Sequence, residues 1–99
     1  MIQDFTFELF QPHVGEPFRV IVDGQWELPT RLSEVSVWGH EEAATRQRHP
    51  FSLIFHAQPD TVLPQAIYRI ENASLEPFEA FLVPIGPDAL GMRYEAVFT

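Results

Sequence analysis

Phe81-Leu-Val-Pro-Ile-Gly-Pro-Asp-Ala-Leu-Gly-Met-Arg-Tyr-Glu-Ala-Val-Phe98 places two apolar runs on either side of a Gly-Pro-Asp…Gly break. This is the sequence form of a β-hairpin. Gly86 and Gly91 permit positive φ, Pro87 presets a turn and Asp88 can cap it. The connection is therefore expected over Gly86–Gly91, between strands at Pro77–Ile85 and Met92–Phe98. The second run alternates almost to the last residue. Untethered ends normally fray, so this strand is expected to be docked in a sheet.

The same alternation recurs upstream. Phe18, Val20 and Val22 share one face of a strand, and Asp23-Gly24 is a strong two-residue hairpin signal. The returning strand changes phase: Trp26, Leu28, Thr30 and Leu32 share one parity, Val35 and Val37 the other. A bulge near Ser33-Glu34, or a break into two strands, would keep both sets inward. Pro29 removes a ladder donor, which assigns its part of the strand to an edge or a bulge. Phe51, Leu53 and Phe55 define the next strand, with Tyr68 and Ile70 in the one after. Gly39–Pro50 has no periodicity and is read as a loop, with one helical turn at Glu41–Thr45. Asp4 to Gly15 is read as a short helical or irregular lead-in whose Phe side chains plug the core.

The fold class expected is therefore all-β: one domain over residues 1–99, an antiparallel barrel-like or sandwich arrangement of about six strands. Ninety-nine residues leave no room for a second core. Closure into a barrel or a two-layer sandwich would remove exposed strand edges. Several strands carry apolar residues on both parities, among them Ile21, Ile54, Ile67, Phe81, Val83 and Val97. A sheet wetted on one side would be polar there, so this second set needs cover.

Composition excludes several functions. The formal net charge is −8, from fourteen acids and six bases, which opposes binding to nucleic acid or to anionic membrane. All six bases are Arg, as expected of a GC-rich coding sequence and so of a bacterial source. With no Cys there is no disulfide or thiol chemistry. No signal peptide or apolar run of membrane length is apparent, and the expected location is the cytoplasm. Asn72-Ala-Ser74 matches a glycosylation sequon and is read as coincidence.

Local motifs for chemistry fail one by one. His40-Glu41-Glu42 lacks a second His at position 44, which is Ala, so a zinc-protease helix is not formed. His49 and His56 have no metal-ligand spacing, and His56 is read as a surface histidine at a strand end. None of Ser33, Ser36, Ser52 and Ser74 sits in a Gly-x-Ser-x-Gly elbow. Glu76 and Glu79 are not held across a cleft. Arg93 with Glu95, and Arg69 with Glu71, are read as outward cross-strand ion pairs. The expectation is a chain without catalytic, metal or cofactor-binding residues.

The segments His49–Phe55, Val62–Ile70 and Phe81–Phe98, together with Phe10–Val20, resemble an uncharacterised family of small bacterial β-domains. The polar stretch Gly39–Arg48 is least like it. The resemblance implies an association with phage-tail-collar-like fibre proteins, and no catalytic residues. The function expected is that of a non-enzymatic accessory protein. It would bind a protein partner, such as a tail or fibre protein, or a second copy of itself, through a sheet edge or the apolar outer face. Phe81, Val83, Ile85, Asp88 and Val97 are the candidate partner contacts. The alternative is a small-ligand-binding barrel lined by Phe18, Trp26, Phe55, Tyr68 and Tyr94, though large aromatics in so short a chain favour a filled interior.

Overall fold

The first hairpin forms where the Asp-Gly pair requires it. Strand β1 (Pro17–Val22) is joined to β2 (Trp26–Val37) through Asp23 and Gly24, at φ 54° and 64°. Positive φ at both central residues matches the turn's twist to that of the strands. The Gln25 N–H closes the turn on the Val22 carbonyl at 3.0 Å. Four further strands follow in the computed structural model, which describes residues 5–37 and 50–98. They are β3 (Phe51–Ala57), β4 (Ala66–Glu71), β5 (Phe78–Asp88) and β6 (Gly91–Phe98), and a short helix α1 (Phe7–Phe10) precedes them all. Apart from Pro50, the loop expected over Gly39–Pro50 lies outside the described residues.

The strands close into a barrel in the order β1-β2-β3-β6-β5-β4, every pair antiparallel. The ring consists of two three-stranded meanders, each with a long bulged strand in the middle. In β2 the bulge falls between Leu32 and Glu34, leaving Ser33 as the extra residue. It lets Leu28, Thr30 and Leu32 stay buried while Val35 and Val37 also pack on the core. The expected phase change is thus resolved within one continuous strand. Pro29 lies where β2 overruns its neighbour, because the β2–β3 register begins at Thr30.

The closing hairpin departs from expectation in one respect. Strand β5 runs on through Gly86, Pro87 and Asp88, and Asp88 pairs with Gly91. The turn is the tighter Ala89-Leu90. Gly86 takes its positive φ of 94° in a second bulge, beside Ile85, so its freedom bends the strand rather than ending it.

The interior is filled. Phe18, Val20, Leu32, Leu53, Phe55, Ile70, Leu82 and Tyr94 are buried, with Phe18 edge-on to Phe55 at 5.4 Å. Trp26, expected inside, is 45% exposed at the start of β2. Five phenylalanines plug one end of the barrel. Phe51 stacks on its register partner Phe98 at 4.9 Å, and α1 lays Phe10 against Phe5, Phe51, Phe78 and Phe98. Thr6 caps this one-turn helix, its hydroxyl accepting from the Leu9 N–H at 3.3 Å.

The opposite end is closed by the crossover from β3 to β4, which drives Leu63 into the core. The Tyr94 hydroxyl accepts from the Leu63 N–H at 3.0 Å and donates to the Thr61 carbonyl at 3.1 Å; Tyr68 donates to the Pro64 carbonyl at 2.6 Å. Two core tyrosines thus hold a connection that has no sheet partner of its own.

Asn72 is buried in the link from β4 to β5. Its amide donates to the Pro17 carbonyl and to Glu16, and its oxygen accepts from the Ser74 N–H. The sequon asparagine is therefore a structural clamp.

Candidate functional site

Strands β4, β5 and β6 place the second apolar set on the outside of the barrel. Ile67 pairs directly with Phe81, and Val97 follows Ala96, the partner of Leu82 on the neighbouring strand. These three side chains are 66%, 50% and 46% exposed. Val83, two residues along β5, is half-buried on the same face. The contacts expected at Phe81, Val83 and Val97 thus share one strip, and the structure adds Ile67, whose cross-strand position was not visible in the sequence. Ile85 is the bulge residue and stands apart from that strip. Asp88 lies at the far end of β5, in a different cluster.

Charged residues border the strip. Glu71 lies between Arg69 on its own strand (3.0 Å) and Arg19 on β1 (3.2 Å). Hydrogen bonds from both guanidiniums hold its carboxyl below the ordinary value of 4.5. Arg93 does not form the expected pair with Glu95. It turns to the β5 bulge and donates to the Ile85 and Gly86 carbonyls at 3.3 and 3.1 Å. A bulge leaves carbonyls outside the ladder, and a guanidinium can serve two at once.

Asp88 belongs to a chain of hydrogen bonds that local motifs do not reveal. His56, on the outer face of β3, meets Asp88 through Nε2, at 2.9 and 3.0 Å from the two carboxylate oxygens. Its Nδ1 meets the Ser33 hydroxyl. The three residues are separated by 23 and 32 positions in sequence. The bulge in β2 supplies Ser33, and the Leu90 N–H fixes Asp88 by donating to Oδ1 at 2.8 Å. The His56 side chain retains only 13% of its exposure, so it is enclosed rather than a loose surface histidine. A neutral imidazole fits this arrangement with its proton on Nε2, given to Asp88, leaving Nδ1 to accept from Ser33.

The His56 hydrogen bond, with the Leu90 N–H, holds the Asp88 carboxyl below its ordinary value of 3.8; His13 and Asn72 do the same for Glu16. A carboxylate whose folded pKa is depressed contributes stability that is fully present above the unfolded pKa and is lost as pH falls through the folded value. Denaturation midpoints should therefore hold steady down to the ordinary carboxylate range and fall below it. Asp88→Asn should flatten the acid side of the curve. A midpoint that fell equally in Asp88→Asn would remove Asp88 as a contributor.

Two surface grooves flank these features. One, of about 690 Å³, runs between the β1–β2 turn and the crossover, with Trp26, Val62 and Ile67 in its walls. The other, of about 700 Å³, contains Ser33 and His56 alongside Arg31, Gln58, Pro59 and Leu90. No helix among the described residues is long and apolar enough to cross a membrane.

The fold defines a small all-β protein: a closed six-stranded antiparallel barrel, plugged at both ends and apolar on part of its outer surface. The chain belongs to a family described as a domain of unknown function (DUF6916), whose model matches residues 5–98. No curated protein and no solved structure gives a significant match.

Proposed function

We propose that this chain is a protein-binding accessory domain, docking through the outer strip formed by Ile67, Phe81, Val83 and Val97. The observation that carries this reading is the direct pairing of Ile67 with Phe81, each at least half exposed, beside Val97. Contiguous exposed apolar side chains on three neighbouring strands are characteristic of interaction surfaces. Closure of the barrel directs the reading to this face rather than to a sheet edge. The filled interior disfavours a ligand cavity.

The net charge of −8 opposes pairing with a second copy and favours a partner with an apolar patch and a basic rim. The resemblance to tail- and fibre-associated bacterial β-domains makes such an assembly the first place to seek that partner.

The test is a pull-down from a bacterial host, followed by calorimetry with the purified partner. Ile67→Ser/Phe81→Ser should weaken binding at least tenfold while preserving the β-sheet circular dichroism spectrum. Unchanged affinity in that variant would overturn the assignment of the face. A wild-type dimer abolished by the same changes would replace the foreign partner with a second copy.

A further inference from the structure

The groove beside β3 contains Ser33 and His56, and the hydrogen-bonded line continues unbroken from His56 to the Asp88 carboxylate; binding through the strip of Ile67, Phe81, Val83 and Val97 makes no use of it. We propose that Ser33 is an activated nucleophile, with His56 as its general base and Asp88 as the residue that positions the imidazole. The activity inferred is hydrolysis of small carboxylic esters in the groove lined by Ser33, His56, Gln58, Pro59 and Leu90.

The geometry meets the requirements of nucleophilic catalysis individually. A serine hydroxyl needs a base within hydrogen-bond reach, and Nδ1 of His56 is in contact with Oγ. The base needs a fixed tautomer, and Asp88 imposes it by accepting from Nε2. The carboxylate must itself be held, and the Leu90 N–H holds it. The nitrogens are used in the reverse sense to the familiar serine-protease triad, but the proton path is equivalent: Nδ1 takes the proton while Nε2–H stays on Asp88. The bulge matters because it leaves Ser33 outside the β2–β3 pairing, at a site with open volume in front of it.

In the first step Oγ of Ser33 attacks the ester carbonyl carbon as its proton passes to Nδ1 of His56. The carbonyl oxygen becomes an oxyanion, and the Arg31 guanidinium and the Gln58 amide are the side-chain N–H donors that the residues lining the groove carry to receive it. Collapse of this intermediate breaks the bond to the leaving alcohol, which takes the proton from His56. Water then attacks the acyl-serine with His56 again as base, releasing the carboxylic acid and restoring the Ser33 hydroxyl. The apolar contribution of Pro17, Pro29, Pro59 and Leu90 to the groove suits an uncharged, short-chain ester.

The experiment uses a fluorophosphonate probe with intact-mass and peptide mass spectrometry, alongside p-nitrophenyl acetate hydrolysis followed across pH. The folded wild-type chain should acquire one adduct, located at Ser33. Labelling and hydrolysis should fall about a hundredfold or more in Ser33→Ala and in His56→Gln, and remain unchanged in Ser36→Ala. Asp88→Asn should lower the rate and change the pH profile, which a purely structural carboxylate would not do. Circular dichroism establishes that each variant is folded. Absence of an adduct on folded wild-type protein, or hydrolysis that persists in folded Ser33→Ala, would overturn the proposal and leave the three residues as a clip joining β2, β3 and β5. Because Ser33 lies away from the strip of Ile67 and Phe81, failure here leaves the partner-binding test unaffected.

Discussion

Replacing Phe10 with alanine is expected to lower the unfolding free energy by about 3–5 kcal/mol. The residue is fully buried and touches the rings of Phe5, Phe51, Phe78 and Phe98. Its removal takes away the plug of the barrel end, and Phe10 is the buried residue of the one-turn helix that carries it. A helix of four residues is far too short to persist alone, so the lead-in should detach as the cavity forms. Urea denaturation measures the loss directly. Phe81→Ser provides the contrast: an outer phenylalanine should cost less than about 1 kcal/mol. Equal losses at the two positions would mean that the barrel end is not closed by Phe10. The loss expected at Phe10 is a large part of the roughly 5–15 kcal/mol that holds a domain of this size folded.

The second large effect is expected from Gly91→Ala. A Cβ at this position would lie 2.2 Å from the Ala57 carbonyl oxygen, and the residue sits at φ 136°. The obstacle is backbone, so it cannot move aside as a flexible side chain would. Conformational strain of about 1–3 kcal/mol adds to a similar overpacking term, for a total of about 4 kcal/mol. Gly24→Ala separates the two contributions. Gly24 also has positive φ, yet nothing lies within 4 Å of its added Cβ, so only conformational strain remains. If the two variants were equally stable, the close approach of β6 to β3 at Ala57 would be refuted. The same displacement should disturb His56, the residue next to Ala57, and weaken whatever the Ser33–His56–Asp88 chain does.

Much of the fold is legible along the chain because it depends on neighbours. Alternation at Phe18, Val20 and Val22, and again at Phe51, Leu53 and Phe55, identifies inward faces, since a strand turns successive side chains through half a revolution. The parity change after Leu32 announces a bulge for the same reason. Asp23-Gly24 is read correctly because two adjacent positive-φ residues have few other uses. Gly86-Pro-Asp is less easily read. Positive φ serves a bulge as well as a turn, and only the pairing of Pro87 with Met92 distinguishes them. Parity assigns Trp26 inward, but it stands at the strand's open start, where parity no longer implies cover.

The candidate sites divide along the same line. Phe81, Val83 and Val97 are legible as apolar residues on the wrong face, but Ile67 joins them only through the register of β4 with β5. Ser33, His56 and Asp88 carry no local signature at all. A bulge, a strand end and a turn bring them together across the sheet.

Patterning and turn chemistry thus specify strands, an inward face and an all-β class, since each is set by residues within a few positions of one another. The tertiary structure alone decides that six strands close into a ring rather than stack as two layers, and which outward side chains become neighbours. Those outcomes depend on inter-strand register and on how bulged strands bend, and both are settled by packing Phe10, Phe51, Tyr94 and their neighbours into one interior.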